Sequence, residues 1–211
     1  MSETICIAIP VLGGVPPEHP VWLSAIVADL RSREVNVEVY YRPGDAMICR
    51  ARNAIAARFL RGGADLLFML DSDIHIPSDA IDALRRWNVP VVGLDYRQRS
   101  DEVRSASVVV KGEGGLVPAH YLATGAMLIR RTALEAMIEY KRAHGDYNLP
   151  EFDDEKGHTT HGFFVPFVTH GYDRTYLSED WAFSERLRTA GIEVFLDTTI
   201  RTRHIGRDVY A

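Results

Sequence analysis

Residues 66–77, LLFMLDSDIHIP, are the stretch that decides the fold class of this chain. An apolar run from Leu66 to Leu70 ends directly in two carboxylates, Asp71 and Asp73. A short apolar run that stops so sharply is typical of a buried strand, so both carboxylates should lie at the carboxyl edge of a sheet. Open α/β sheets bind ligands at that edge. Two oxygen donors so close together suit Mg²⁺ or Mn²⁺, metals that commonly hold phosphates.

Chance alone is expected to supply one such pair. The chain has 16 Asp in 211 residues, so roughly one Asp-x-Asp should occur without any function. The alternative interpretation is a strand end with two solvated carboxylates, and spacing alone does not choose between the two. The decision therefore depends on the other motifs of the chain.

The composition is that of a globular protein with a mildly acidic balance. Apolar residues make up 46% of the chain and the formal net charge is −5. These values allow a sizeable core and argue against nucleic acid as the main partner. Cys6 and Cys49 show no metal-ligand spacing, and they favour a reduced, cytoplasmic chain. No signal peptide and no apolar stretch of transmembrane length is present. The length of 211 residues predicts one domain over residues 1–211.

Strand and helix signals alternate through the first half of the chain. Strands are predicted at 4–11, 35–41, 66–70 and 89–94, and helices at 20–33, 46–61 and from Ser78 to about Trp87. Such alternation predicts βαβ units. We therefore expect an α/β fold with a mixed, mostly parallel Rossmann-like sheet flanked by helices.

The second half gives weaker signals. Strands are predicted at 105–110, near 126–129 and at 192–196, the first two being joined by a KGEGG turn, and Ser178 is expected to cap a helix over 178–190. Thr132 and Glu135 form a Thr-x-x-Glu pattern that predicts the start of another helix. Residues 143–176 show no clear periodicity, and a mobile loop is expected there.

A second acidic pair, Glu179-Asp180, lies at the start of the 178–190 helix. Acidic residues in a first turn offset the helix dipole and need no other role. The functional interpretation is a carboxylate that faces the sheet edge and acts as a general base. His204 alone is more typical of a surface or core residue. Together with Asp71 and Asp73, however, it would complete a metal shell that suits Mn²⁺.

Arg50, Arg52 and Asn53 open the 46–61 helix. They form either a solvated helix face or a phosphate site, because arginines pair well with phosphate oxygens. Glycines in the loop at 9–14 permit close approach of a ligand, although no Gly-x-Gly-x-x-Gly fingerprint is present. Gly125, before a predicted strand, either makes room for a substrate or allows tight packing.

Taken in order, these segments resemble the GT-A type glycosyltransferases, close to the family 2-like group. The resemblance covers most of the chain except 143–176, and it rests on IPVLGG, RARNAIAARFL, LLFMLDSDI, ATGAMLIRR and YLSEDWAFSERLRTAGIEVFLDTTIRTRHIG. The last segment is the most specific of these. It joins Ser-Glu-Asp, Phe183, Arg186-Leu187, Gly191 and His204 in one order.

The resemblance implies a metal site and a catalytic base. Asp71 and Asp73 would handle the metal and the nucleotide diphosphate, with His204 as the third protein ligand of Mn²⁺ or Mg²⁺. Asp180 would deprotonate an acceptor hydroxyl, which favours inversion at the anomeric carbon. Glu179 would support the geometry of the acceptor or of the metal shell.

The resemblance also implies a donor site for a nucleotide sugar, with a UDP-sugar favoured. Its members would be Pro10, Val11, Arg50, Arg52, Asn53, Asp71, Ser72 and Gly125. Residues 1–100 would form the nucleotide-binding half, and 101–211 would bind an unidentified hydroxyl acceptor on a glycan, a protein or a small molecule. Residues of the 143–176 loop are candidates to contact this acceptor, namely Tyr147, His158, His161, Phe163, Phe164 and Tyr172.

Three other functions compete with this interpretation. Phosphatases of the haloacid dehalogenase type carry Thr at the fifth position of their Asp-x-Asp motif, where this chain has His75. A nucleotidyltransferase of sugar phosphates would carry a basic residue in the glycine-rich segment after the first strand, and VLGGVPP has none. A non-catalytic nucleotide-sugar-binding protein would not need both acidic pairs.

Overall fold

An eight-stranded sheet lies at the centre of the protein, with helices on both of its faces. The structure, a computed structural model, describes residues 2–96, 105–110, 112, 114–145, 147–154, 156–170, 174–205 and the backbone of 209–210. The helices are α1 (His19–Ser32), α2 (Ile48–Arg61), α3 (Ala80–Arg86), α4 (Arg131–His144) and α5 (Glu179–Thr189). Within the described residues, none of them is long and apolar enough to cross a membrane.

Fifteen strands accompany these helices in the part of the chain that the structure describes. They are β1 (Thr4–Val11), β2 (Asn36–Pro43), β3 (Leu66–Leu70), β4 (Ile74–His75), β5 (Val91–Leu94), β6 (Val108–Val109), β7 (Leu116–Tyr121), β8 (Ala126–Arg130), β9 (Glu151–Asp153), β10 (Thr159–His161), β11 (Phe167–Val168), β12 (Tyr176–Leu177), β13 (Val194–Asp197), β14 (Arg203–Ile205) and β15 (Val209–Tyr210). Most of the predicted elements are present, with ends shifted by a few residues.

The strand order in the large sheet is β2-β1-β3-β8-β5-β13-β7-β6. Strand β1 pairs in parallel with β2 and β3, and β5 pairs in parallel with β13. Strands β8 and β7 run antiparallel to both of their neighbours. Six of the eight strands therefore point the same way. The predicted α/β fold, with a mostly parallel sheet between helices, is confirmed.

Alternating side chains of the central strands enter two separate cores. In β1, Cys6 and Ala8 lie in one core, and Ile5, Ile7 and Ile9 lie in the other. Helices α2, α4 and α5 cover the first face, and α1 and α3 cover the second. Burying one such isoleucine stabilises the fold by about 1.5–3 kcal/mol. Strands covered on both faces have nearly continuous apolar sequences, as β1 and β3 do.

The carboxyl ends of β1, β3, β5 and β13 meet at one edge of this sheet. Asp71 directly follows β3, and Tyr96 lies two residues after β5. Ala8 pairs with Met69, so continuing the register by two residues places Pro10 beside Asp71. This is the edge at which open α/β sheets bind ligands.

Strand β7 was not predicted. Its presence changes which two strands the KGEGG segment connects. That segment leads from β6 into β7, not into the strand at Ala126–Arg130. The predicted strand at 105–110 is limited to two residues. Strand β7 escaped prediction because Pro118 interrupts its pattern, and a proline weakens a strand signal. The carbonyl oxygen of Pro118 nevertheless accepts a hydrogen bond from the N–H of Val110.

The described part of 143–176 contains regular structure that was not predicted, while the expected mobility of this segment stays a prediction. Two short hairpins form, β9 with β10 and β11 with β12. Hydrogen bonds tie the segment to the helices. The N–H of Phe164 donates to Oδ1 of Asn53 at 2.8 Å. Nη1 of Arg186 donates to the carbonyl of Phe163 at 2.9 Å.

Three of the side chains predicted to contact an acceptor are core residues instead. Tyr147, Phe163 and Phe164 are at most 5% exposed and belong to the core under α5. They are buried because the segment supplies apolar cover for one face of the sheet. His158 and His161 lie at the hairpins, and Tyr172 lies outside the described residues.

Helix α4 begins at Arg131, with Arg130 at the N-cap, so the predicted Thr132–Glu135 capping box is wrong. No side-chain hydrogen bond caps this helix. Arg131 instead donates hydrogen bonds to backbone carbonyls at the end of α2, among them those of Phe59 and Ala64. The helix start is therefore set by contacts distant in sequence.

The two cysteines should differ in reactivity. Burial, and after it the nearby Glu38 carboxylate, raise the pKa of the Cys6 thiol to about 11. Cys49 is only partly buried. At pH 8 a thiol reagent should therefore modify one cysteine in the native protein and two after denaturation. A native Cys49→Ser variant should not react, and rapid labelling of that variant would contradict the burial of Cys6.

Candidate active site

Arg52 joins the two acidic motifs of the chain. Its Nη1 donates to Oε1 of Glu179 at 2.8 Å, and its Nη2 lies 3.2 and 3.1 Å from Oδ1 and Oδ2 of Asp71. The residue is 4% exposed. One buried guanidinium on α2 thus connects the end of β3 to the first turn of α5.

The two carboxylates compensate for the burial of this arginine. Burial by itself lowers the pKa of Arg52, but the charges of Asp71 and Glu179 outweigh burial, and the pKa is raised. The guanidinium therefore stays charged. Removing it would leave two carboxylates unpaired in a partly buried place, which is costly.

Asp180 is held in one orientation by its neighbours in α5. Its Oδ1 accepts a hydrogen bond from the Ser178 hydroxyl and another from the Trp181 N–H at 2.9 Å. Ser178 occupies the N-cap position, as predicted, but its hydroxyl donates to Asp180 and its side chain caps no backbone N–H. Oδ2 of Asp180 accepts no hydrogen bond from the residues that the structure describes.

Asp73 and His204 meet through a small sheet. Strand β14 pairs with β4, which aligns His204 with Ile74, and the N–H of Ile205 donates to the Asp73 carbonyl at 2.7 Å. Nε2 of His204 lies 3.7 Å from Oδ2 of Asp73. The ring edge of Tyr96 packs against the His204 ring at a centroid distance of 5.7 Å.

Gly125 lies directly against the Asp71 side chain. The N–H of Asp71 donates to the Gly125 carbonyl at 2.8 Å, and the Gly125 N–H donates to Oη of Tyr96 at 2.9 Å. A Cβ at this position would lie 2.5 Å from the Tyr96 oxygen and 3.0 Å from Oδ2 of Asp71. Burial, and then the Asp71 charge, raises the pKa of the Tyr96 phenol. These contacts agree with tight packing at Gly125, and its place in a donor site stays a prediction.

The three predicted metal ligands do not converge on one point. No group of three His, Cys, Asp or Glu side chains that could hold a metal is found in the described part of the chain. Asp71 is bound to Arg52, whereas Asp73 and His204 lie side by side. One carboxylate and one imidazole fit a divalent cation that takes its other ligands from phosphates and water.

The other residues predicted to bind the sugar donor lie in different places around the sheet edge. Pro10 and Val11 end β1 at the site edge. The backbone of Ser72 bonds the side chain of His19, which is 1% exposed. The guanidinium of Arg50 binds the carboxylate of Asp45, in the loop after β2, at 2.9–3.0 Å. Asn53 is buried against the backbone of Phe164, as described above.

Sequence reasoning missed Tyr96 and His19. Tyr96 had the same signal as Asp71, since it follows a short apolar strand, VVGL, that ends at this edge. His19 had no such signal, because a histidine beside prolines at the start of a helix is unremarkable.

Comparisons with known proteins support the architecture. No protein-family model matches the chain, and no curated protein matches it in sequence. Among solved structures, protein A197 from STIV has a TM-score of 0.56 and 14% identity, covering 99% of this chain and 93% of that one. S. aureus TarS 1–349 in complex with UDP has a TM-score of 0.52 and 12% identity, covering 100% and 60%. A Drosophila β-1,4-galactosyltransferase 7 mutant in complex with manganese, UDP-Gal and xylobiose has a TM-score of 0.50 and 13% identity, covering 95% and 71%.

The chain has the GT-A fold. The expected fold class is thereby confirmed over nearly the whole chain. Similarity at 12–14% identity supports the GT-A fold but does not assign an activity, a substrate or a metal. The activity must be argued from the side chains at the sheet edge of this GT-A domain.

Loss of Arg52 should destabilise the GT-A domain strongly. Arg52→Ala leaves Asp71 and Glu179 facing each other without a cation, so the free energy of unfolding should fall by about 2–4 kcal/mol. Urea denaturation measures this change. Arg61→Ala on the same helix is the matched control, because the Arg61 side chain is 46% exposed and pairs at 3.5 Å with Asp154, which is itself 26% exposed, so this pair should contribute no more than about 1 kcal/mol. Equal losses for both variants would contradict the role given to Arg52.

Gly125→Ala should also be destabilising. The added methyl group would overlap the Tyr96 hydroxyl and press on Asp71, at a cost of about 1–3 kcal/mol. Thermal denaturation against Gly63→Ala measures the effect, since a Cβ at Gly63 meets nothing within 4 Å. Unchanged melting of the Gly125→Ala variant would show that Tyr96 can move away.

Proposed function

We propose that the protein is a metal-dependent glycosyltransferase that moves a sugar from a nucleotide-diphosphate sugar, with a UDP-sugar favoured, to an acceptor hydroxyl. The observation that carries the proposal is the Arg52 bridge. Within the GT-A fold, it brings Asp71 of the Asp-x-Asp segment together with Glu179 and its neighbour Asp180 at one sheet edge. The unpaired thiols of Cys6 and Cys49 agree with a cytoplasmic location.

The diphosphate of the donor would lie at the end of β3. Asp73 and His204 are the residues that would hold Mn²⁺ or Mg²⁺, and Asp71, placed by Arg52, would orient the donor. When bound, the divalent cation neutralises charge on the leaving diphosphate. Pro10, Val11 and the backbone of Ser72 border the same edge, where the nucleotide would bind. Gly125 would form the floor beneath it.

Arg50 and Asn53 receive different parts in this proposal. Asn53 supports the site from behind by holding the backbone of Phe164. Arg50, paired with Asp45, would reach a donor phosphate only after exchanging that partner. Its role as a donor contact stays a prediction.

Asp180 would act as the base. Its Oδ1 is held by Ser178 and Trp181, so Oδ2 would take the proton of the acceptor hydroxyl. The hydroxyl oxygen then forms a bond to the anomeric carbon. The bond from that carbon to the diphosphate oxygen breaks, and its electron pair stays on the diphosphate. A base opposite the leaving group gives inversion at this carbon. Glu179, held by Arg52, would keep the first turn of α5 in place.

Asp73→Ala should abolish the metal-dependent part of donor binding. The variant lacks the carboxylate of the Asp73–His204 pair, so UDP binding with Mn²⁺ should fall to the level measured without metal. Isothermal titration calorimetry with UDP, with and without Mn²⁺, gives the measurement. Asp79→Ala, an exposed site near α3, is the control. An unchanged Mn²⁺ effect in Asp73→Ala would refute the metal assignment.

Asp180→Asn should bind UDP normally and lose transfer. The amide oxygen keeps the contacts of Oδ1 but the side chain cannot take a proton, so the turnover rate should drop by about 10²–10⁴-fold. UDP release from a panel of UDP-sugars measures turnover. Transfer at the wild-type rate would eliminate Asp180 as the base. Release of pyrophosphate from a nucleoside triphosphate and a sugar phosphate would instead indicate a nucleotidyltransferase.

A further inference from the structure

Strand β2 forms an open edge of the large sheet. It is eight residues long and stands first in the strand order, and within the described residues no strand pairs with its outer side. Its side chains Val39 and Tyr41 are exposed. A long edge strand with exposed apolar side chains is a template for another strand, because its outer N–H and C=O groups have no partner in the sheet.

The hydrogen bonds at the two ends of β2 show which backbone groups face outward. The N–H of Asn36 donates to the carbonyl of Glu3 at 3.0 Å, and the N–H of Gly44 donates to the carbonyl of Val11 at 2.8 Å. Successive residues of a strand turn their backbone groups to opposite sides, so the even-numbered residues bond β1. The odd-numbered residues therefore direct their backbone groups away from the sheet. Those with a free N–H are Val37, Val39 and Tyr41.

The side chains of β2 are arranged symmetrically about Tyr40. Glu38 and Arg42 lie two residues on either side of it, on the same face of the sheet, and Val39 and Tyr41 flank it on the other face. When a second β2 runs antiparallel with Tyr40 opposite Tyr40, each Glu38 lies opposite an Arg42. Each Val39 then lies opposite a Tyr41. Opposite charges and apolar side chains placed directly across an antiparallel pair stabilise it.

The backbone suits the same register. Val39 and Tyr41, which face outward, become a hydrogen-bonded pair and exchange both of their N–H···O bonds. Glu38 and Arg42 become a non-hydrogen-bonded pair, in which opposing side chains lie closer together. Pro43 is the next outward position, and its missing N–H removes one bond at the end of the ladder only.

The charges of Glu38 and Arg42 are incompletely matched within one copy. Arg42 lies 3.6 Å from Asp45, which binds Arg50 more closely, at 2.9 Å. Nε of Arg42 has no hydrogen-bond partner among the described residues, and Glu38 forms no ion pair with them. Two like charges at these positions would repel a second copy, as charged edge strands commonly do. Opposite charges spaced evenly about Tyr40 attract it.

We propose that two copies of this chain associate through β2, in an antiparallel pair centred on Tyr40 that joins the two large sheets into one. A second copy is the occupant because the charges and the apolar side chains of β2 complement those of β2 itself in a single register. A two-fold axis at Tyr40 forms each contact twice. One strand against one strand is a small interface, so the dimer should be weak and should depend on concentration.

Sedimentation velocity from about 1 μM to about 500 μM tests this association, a range suited to a small interface. Wild-type protein should shift from monomer toward dimer as the concentration rises. Glu38→Arg and Arg42→Glu each place like charges opposite one another, and each alone should weaken association about tenfold or more. An equimolar mixture of the two variants should associate again, because opposite charges then meet. Glu139→Arg on α4, an exposed site with the same change in net charge as Glu38→Arg, should associate as wild type does.

Amide hydrogen exchange of the wild-type protein, measured by NMR, gives a second readout that needs no variant. In dilute protein the N–H groups of Val39 and Tyr41 should exchange quickly and that of Tyr40 slowly. Raising the concentration should slow the exchange of Val39 and Tyr41. A monomer at every concentration, with no change in their exchange, would overturn the proposal. Dimers that form equally in wild type and in both folded charge variants would place the contact on another surface and would also overturn it.

Discussion

The buried ion pairs of Arg52 are the interaction on which the candidate site depends. A guanidinium that is 4% exposed must have anionic partners, and here they come from segments 19 and 127 residues away. Its planar fork has separate nitrogens for each carboxylate, which a lysine could not provide. The contact fixes α2, the end of β3 and the start of α5 relative to one another.

A second and weaker interaction, the pairing of β4 with β14, positions the other candidate residues at the same edge. Strands β4 and β14 share only a two-residue register, yet this pairing brings His204 to Asp73. Tyr96 then lies between the two arrangements, since its hydroxyl binds the backbone of Gly125 and its ring contacts His204. The Asp73–His204 pair and the Asp180 carboxylate, which are the proposed metal ligands and the proposed base, are thus held at one edge by different elements.

Local sequence patterns were sufficient to predict which residues lie at the sheet edge. They were not sufficient to predict which side chains contact one another there. The apolar run 66–70 predicted both β3 and the place of Asp71. Both predictions depend only on adjacent residues, because five apolar residues indicate a buried strand and the aspartate that follows them indicates where the strand ends. The pairing of Arg52 with Glu179 has no such local signal. Likewise, Phe163 and Phe164 looked like loop residues, since only the finished sheet offers a surface for them to cover. The roles of Asp73, Asp180 and His204 stay predictions, because a fold alone does not assign chemistry.

The close contact at Gly125 has a consequence for the evolution of the protein. The volume that a side chain at position 125 would need is already filled by the hydroxyl of Tyr96 and an oxygen of Asp71. A larger residue at 125 can be accepted only if position 96 becomes smaller in the same lineage. Among divergent relatives, these two positions are therefore expected to vary together, although 29 residues separate them in the chain.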